Sequence, residues 1–97
     1  MYAVIFKAKL AKLDEEYSRV ASRMRELALK EYGCLEFSSV TEGDIEIAIS
    51  YWKNQDQITS WKNDSEHILA QELGKSKWYE SYKVQVVEVI REYSENT

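Results

Sequence analysis

The chain has 97 residues, 44% of them hydrophobic and 31% charged, with a net charge of −4. That is one domain, residues 1–97, too apolar for disorder and without any run near the ~20 apolar residues that span a bilayer, so no membrane partner is expected. The acidic balance argues against nucleic acid as a partner, because phosphate neutralisation supplies most of that affinity.

The first ten residues, MYAVIFKAKL, lack a basic start and a small-residue cleavage site, so no secretory leader is expected. Tyr2 to Lys9 alternates as a strand, with Tyr2, Val4, Phe6 and Ala8 on one face. Asp14, Glu15 and Glu16 suit a helix N-terminus. Tyr17, Val20, Ala21, Met24, Leu27 and Ala28 then recur every three or four residues as one apolar stripe, and Gly33 ends the helix. Cys34 to Thr41 is a second strand. Cys34, the single cysteine, allows no internal disulfide; it fits a reducing compartment, so a cytoplasmic location is expected. After the turn Glu42-Gly43-Asp44, Ile45, Ile47, Ile49 and Tyr51 alternate with Glu46, Ala48, Ser50 and Trp52, which makes an antiparallel hairpin. Asn54 caps a helix holding Ile58 and Trp61, and Ser65 caps the next, which Gly74 stops. Trp78, Tyr79 and Tyr82 precede a last strand, Tyr82 to Arg91, with Val84, Val86 and Ile90 on one face and Val87 and Val89 on the other.

The order strand, helix, strand, strand, helices, strand predicts an α+β, ferredoxin-like βαββαβ domain: a four-stranded antiparallel sheet with helices on one face. Ile5, Ala48, Trp52, Val87 and Val89 point away from the fuller apolar row of their strands. Whichever face the helices take, the other keeps apolar area, and a second copy of the chain, a homodimer, is its simplest cover.

The stretch from Glu46 to Tyr82 resembles the antibiotic biosynthesis monooxygenase (ABM) family. It has a strand ending in Tyr51-Trp52, a short helix bearing Trp61, Asp-Ser-Glu-His ending at His67, and the pair Trp78-Tyr79; the first strand and Tyr32-Gly33-Cys34-Leu35 agree too. The resemblance implies a dimeric α/β barrel with pockets between each sheet and its helices. It also implies an oxidoreductase, a monooxygenase working without a cofactor on a small planar phenol or quinol. The alternative is a non-catalytic dimer of the same fold that binds a small aromatic molecule. Haem-degrading relatives carry a histidine and an asparagine near positions where this chain has Gln71, and Phe6 with Lys7, so haem is not the expected cofactor.

His67, the only histidine, is a candidate catalytic base beside Trp61, which falls where the family has its pocket tryptophan; the bland alternative is a half-exposed histidine at a helix start. Phe6, Tyr51, Trp52, Trp78 and Tyr79 are candidate substrate-binding residues, although aromatic residues equally build cores and dimer interfaces. No metal is expected, because one histidine and one cysteine 33 positions apart match no zinc spacing.

Overall fold

The computed structural model describes residues 1–96. The alternating N-terminal segment forms β1 (Tyr2–Leu10), and the amphipathic stripe forms α1 (Glu15–Lys30). Asp14 caps α1, its Oδ1 accepting from the Tyr17 amide at 2.9 Å, while Glu15, Glu16 and Lys30 match the helix dipole at the two ends. Gly33 turns the chain at φ +82°, and the Cys34 amide then donates to the Ala28 carbonyl at 2.9 Å. Cys34 therefore belongs to the helix end, and β2 begins two residues later than expected (Glu36–Glu42). A two-residue turn leads into β3 (Ile45–Trp52).

Asn54 caps α2 (Gln55–Lys62) through its Oδ1 and the Gln57 amide, 3.0 Å apart. For α3 (Ser65–Leu73) the cap is Asp64, whose carboxylate accepts from the Glu66 amide at 2.8 Å, and not Ser65, whose side chain lies outside the described part of the structure. Gly74 does not stop the helix by going left-handed. Its φ is −59°, and the chain continues into a single π-helical turn (Gly74–Trp78) before β4 (Tyr79–Glu88), which starts three residues before the expected strand. That turn delivers the Trp78 indole to the α1 cap, where Nε1 donates to Asp14 Oδ1 at 3.2 Å.

The sheet is antiparallel throughout, in the order β2-β3-β1-β4, with Tyr2 opposite Trp52 and Val4 opposite Ser50. Val4 and Trp52 pack with Leu27, Ala28, Ile58 and Trp61 in one core, so the helices cover the face carrying the even-numbered residues of β1 and β3. Ser50 lies inside this core and accepts from Trp52 Nε1 at 2.8 Å, which satisfies both buried groups. The register divides the residues that point away from the fuller row of their own strands. Ala48 and Trp52 lie on the helix side, whereas Ile5 and Val87 share the open side with Ile47, Ile49, Tyr51 and the 68%-exposed Val40. The fuller row of β3 is thus the one the helices leave uncovered. Among the described residues, no helix is long and apolar enough to cross a membrane.

Candidate functional site

Three cross-strand rows on the helix side differ in how tightly they are closed. In the row of Val4 and Ser50 both residues are buried beside Leu27, Trp52 and Trp61, Ser50 being 3% exposed, while Val86 at the β4 end of the row is 48% exposed. Ala8, two residues beyond Phe6, is 1% exposed. Between them, the central pair Phe6 and Ala48 is only half-buried, while the outer members Ser39 and Val84 are exposed, as Val86 and Tyr82 are in the neighbouring rows. The helix above it shows the same gap. Tyr17, Leu27 and Ala28 of the apolar stripe are buried, while Val20 and Met24 are half-buried and Ala21 is exposed. The half-buried row of Phe6 and Ala48 beneath the half-buried Val20 and Met24 is the candidate crevice between α1 and the middle of the sheet.

Aromatic and polar groups stand at one end of the crevice. The Phe6 ring lies 5.3 Å from Tyr79 and 5.9 Å from Tyr82, and those two rings are 5.9 Å apart. Residues three apart in a strand normally face opposite ways. Here Lys9 pairs with Ser81 and Leu10 with Tyr79, so Glu80 is bulged out and both tyrosines reach the helix side. The Tyr79 ring also lies so close to Gly74 that a Cβ there would fall 2.6 Å from its Cε2. Behind Tyr79, the Tyr17 ring stands edge-on at 6.1 Å, and the Tyr17 hydroxyl donates to the Glu46 carboxylate. Burial pushes Tyr79 up to about 12, with the Tyr17 hydroxyl partly opposing it and the Glu46 charge adding to it. Burial first, then the bond to Glu46, pushes Tyr17 higher still. Both phenols therefore stay protonated at neutral pH.

His67 and Trp61 stand together farther along the helix layer. Their rings are 4.3 Å apart and edge-on, and Trp61 also meets Trp52 at 5.3 Å and Phe37 at 6.1 Å. Trp61 Nε1 donates to the Met24 carbonyl at 3.2 Å, which leaves Trp61 8% exposed. Met24 lies seven residues beyond Tyr17, about 10 Å along the axis of α1. Burial lowers the His67 imidazole from its ordinary value; Asp64 opposes this and Lys62 adds to it, so the ring is neutral at pH 7. Its Nδ1 is buried without a hydrogen-bond partner among the described residues.

The structure thus brings Phe6 together with Tyr79, and Trp61 together with His67 and Trp52. Tyr51 lies on the opposite face of the sheet. Trp52 and Trp78 are enclosed by the chain's own side chains, so within this chain they serve packing, Trp78 against Tyr17 at 5.2 Å. Tyr17 and Glu46 were not among the residues singled out from sequence. Only the strand register and the lie of α1 bring them to one point. Cys34 is buried, its thiol pushed up by burial. Of two surface hollows, one of about 470 Å³ lies beside Tyr32, Gly33 and Gln57, and one of about 350 Å³ lies at the β1–β4 edge beside Lys7, Lys9, Lys83 and Tyr82. Among the described residues no cluster of three or more histidine, cysteine or acidic side chains is placed to hold a metal.

No family model matches the chain. The uncharacterized protein YqjZ of Bacillus subtilis (strain 168) is 43% identical over 99 residues, spanning 99% of this chain and 87% of that protein. Among solved structures, SnoaB of Streptomyces nogalater, a cofactor-independent oxygenase, superposes with a TM-score of 0.81 at 10% identity, covering 97% of each chain. A structure named as an antibiotic biosynthesis monooxygenase superposes with a TM-score of 0.68 at 15% identity, covering 94% of this chain and 100% of that one.

Proposed function

This chain belongs to one family with Bacillus subtilis YqjZ and carries the antibiotic biosynthesis monooxygenase fold, and from that premise we propose that it is a small oxidoreductase that oxidises a planar phenol or quinol with molecular oxygen. The observation that carries this reading is the half-buried pair Phe6 and Ala48 lying between the buried pair Val4 and Ser50 and the buried Ala8, with aromatic rings and phenol hydroxyls at its edge. A flat aromatic substrate stacks on Phe6 beside Tyr79 and Tyr82. The protonated Tyr79 hydroxyl donates to the substrate oxygen as negative charge gathers there. His67, neutral beside Trp61, supplies a basic group toward the other end. The substrate is its own reductant: in the monooxygenase form a phenol and O₂ give a quinone and water, so the protein has only to bind, exclude bulk solvent and manage protons. The cofactor-independent activity in SnoaB's name supports the reading through the shared fold.

The working form in this proposal is a homodimer. Ile5, Ile47, Ile49, Tyr51 and Val40 form a contiguous apolar area on the face the helices leave uncovered, which a second copy would shelter from water. Glu36 and Glu42 on β2, at one edge of that face, complement Lys7 and Lys83 on β1 and β4 across it, as two copies packed face to face require.

Oxygen uptake with dihydroxynaphthalenes tests the activity, comparing the native protein with Ala48→Leu, which fills the crevice, and with a Trp61→Phe/His67→Ala double variant. Uptake by the native protein, lost in Ala48→Leu, is the expected result. Equal uptake by all three overturns the proposal, and saturable binding without uptake replaces it with a ligand-binding protein. Sedimentation at micromolar concentration reads the assembly, and a particle of one chain rejects the dimer.

A further inference from the structure

We infer that Glu46 is the terminal proton acceptor of the crevice, reached from the substrate through the hydroxyls of Tyr79 and Tyr17. The inference rests on the crevice binding a phenol, and it assigns work to a contact that otherwise only clamps α1 to β3.

Glu46 stands in the helix-side row of β3 with Ala48, Ser50 and Trp52, where it is the single charged side chain and only half-buried. Among the described residues no lysine or arginine forms an ion pair with it. Its partner is the Tyr17 hydroxyl. A carboxylate held by a phenol, with no cation beside it, is free to receive that phenol's proton. Tyr17 in turn stands against Tyr79, whose ring borders Phe6. Each hydroxyl can both donate and accept, and the two hydroxyls lie near enough to influence one another's ionisation, so the three groups can act in series as a relay.

The step balances without an oxidant. The substrate O–H bond breaks and its proton joins Tyr79 Oη. The proton Tyr79 held passes to Tyr17 Oη, and the proton Tyr17 held passes to Glu46. The substrate keeps the electron pair as a phenolate, Glu46 becomes a neutral acid, and both tyrosines end as they began. Because both phenols resist ionisation, neither stores the charge, so the proton has to travel through to the carboxylate.

Exchange of ring hydrogens for deuterium reads this relay without oxygen, since phenolate formation activates the neighbouring ring carbons. The full-length protein is incubated anaerobically in D₂O with 1,3-dihydroxynaphthalene and followed by proton NMR. The native protein accelerates exchange over buffer, and Glu46→Gln slows it about 100-fold while keeping the native thermal midpoint, because the Gln carbonyl still accepts from Tyr17. Tyr79→Phe, which keeps the ring and loses only the hydroxyl, falls equally and serves if Glu46→Gln does not fold. Exchange in Glu46→Gln at the native rate overturns the relay, as does a loss confined to His67→Ala or a native protein no faster than buffer. Accelerated exchange without oxygen uptake discards the oxygenase proposal and leaves the relay. Oxygen uptake with unimpaired exchange in Glu46→Gln does the reverse.

Discussion

The Trp52 end and the Phe6 middle of the helix-facing side are built from similar residues and serve opposite ends. At Trp52 both buried indoles are answered: Trp52 donates to Ser50, and Trp61 donates to Met24. One row away Ala48 stands half-open, α1 offers only small or half-buried residues on its apolar stripe there, and the Tyr79 ring lies 5.3 Å from Phe6. The difference teaches that this small domain packs the ends of its helix layer tightly, around Trp52 and around Trp78, and covers the middle less closely.

Cutting the closed end is the strongest way to test that contrast. Trp52→Ala removes one of the two largest fully enclosed side chains and is expected to cost about 3–5 kcal/mol, read as a fall in the urea midpoint. A cost under 1 kcal/mol would mean that the two regions do not differ as described. Ser50→Ala leaves the Trp52 N–H buried without an acceptor and is expected to cost about 1–3 kcal/mol in the same titration.

Changes at the open row should leave stability nearly untouched while altering function. Gly74→Ala drives a methyl group into the Tyr79 ring, and a displacement of about 1 Å there is expected to lower oxygen uptake about 100-fold, with a much smaller change in urea midpoint. Ala48→Leu adds apolar bulk where space exists, so its midpoint stays within about 1 kcal/mol of native as ligand binding disappears. A large destabilisation by Ala48→Leu would show the row to be packed.

The smallest effect is electrostatic. Burial holds the folded-state His67 below its ordinary 6.5, so the unfolded chain takes up that proton first on acidification. The stability from neutral His67 is complete above pH 6.5 and is lost as pH falls from there toward the lower folded value. Asp64, the carboxylate beside it, and Glu66, paired with Arg23, are held below their ordinary 3.8 and 4.5, so their losses come at lower pH. Thermal midpoints between pH 6.5 and 4.5 should therefore fall in the native protein and flatten in His67→Gln. Parallel curves would place His67 in water.

Most of the fold was legible in the chain because it depends on local patterning. Alternation from Tyr2 to Lys9 and from Ile45 to Trp52, the stripe from Tyr17 to Ala28, the cap at Asn54 and the turn at Gly33 each follow from the residues within a few positions. Those patterns, in that order, determine a βαββαβ sheet with one covered face. Tertiary structure alone decided which face that is. Ile45, Ile47 and Ile49 look like the core row, yet Trp52 and Ser50 bond to each other and carry the opposite row under the helices. Tertiary structure also set the site. The bulge at Glu80 and the π turn before it bring Tyr79 and Tyr82 to Phe6, and the lie of α1 brings Tyr17 to Glu46 across 29 positions of sequence. Strand alternation gives each residue a side only while the count along the strand is unbroken; one extra residue reverses it, and nothing local to Glu80 announces that residue.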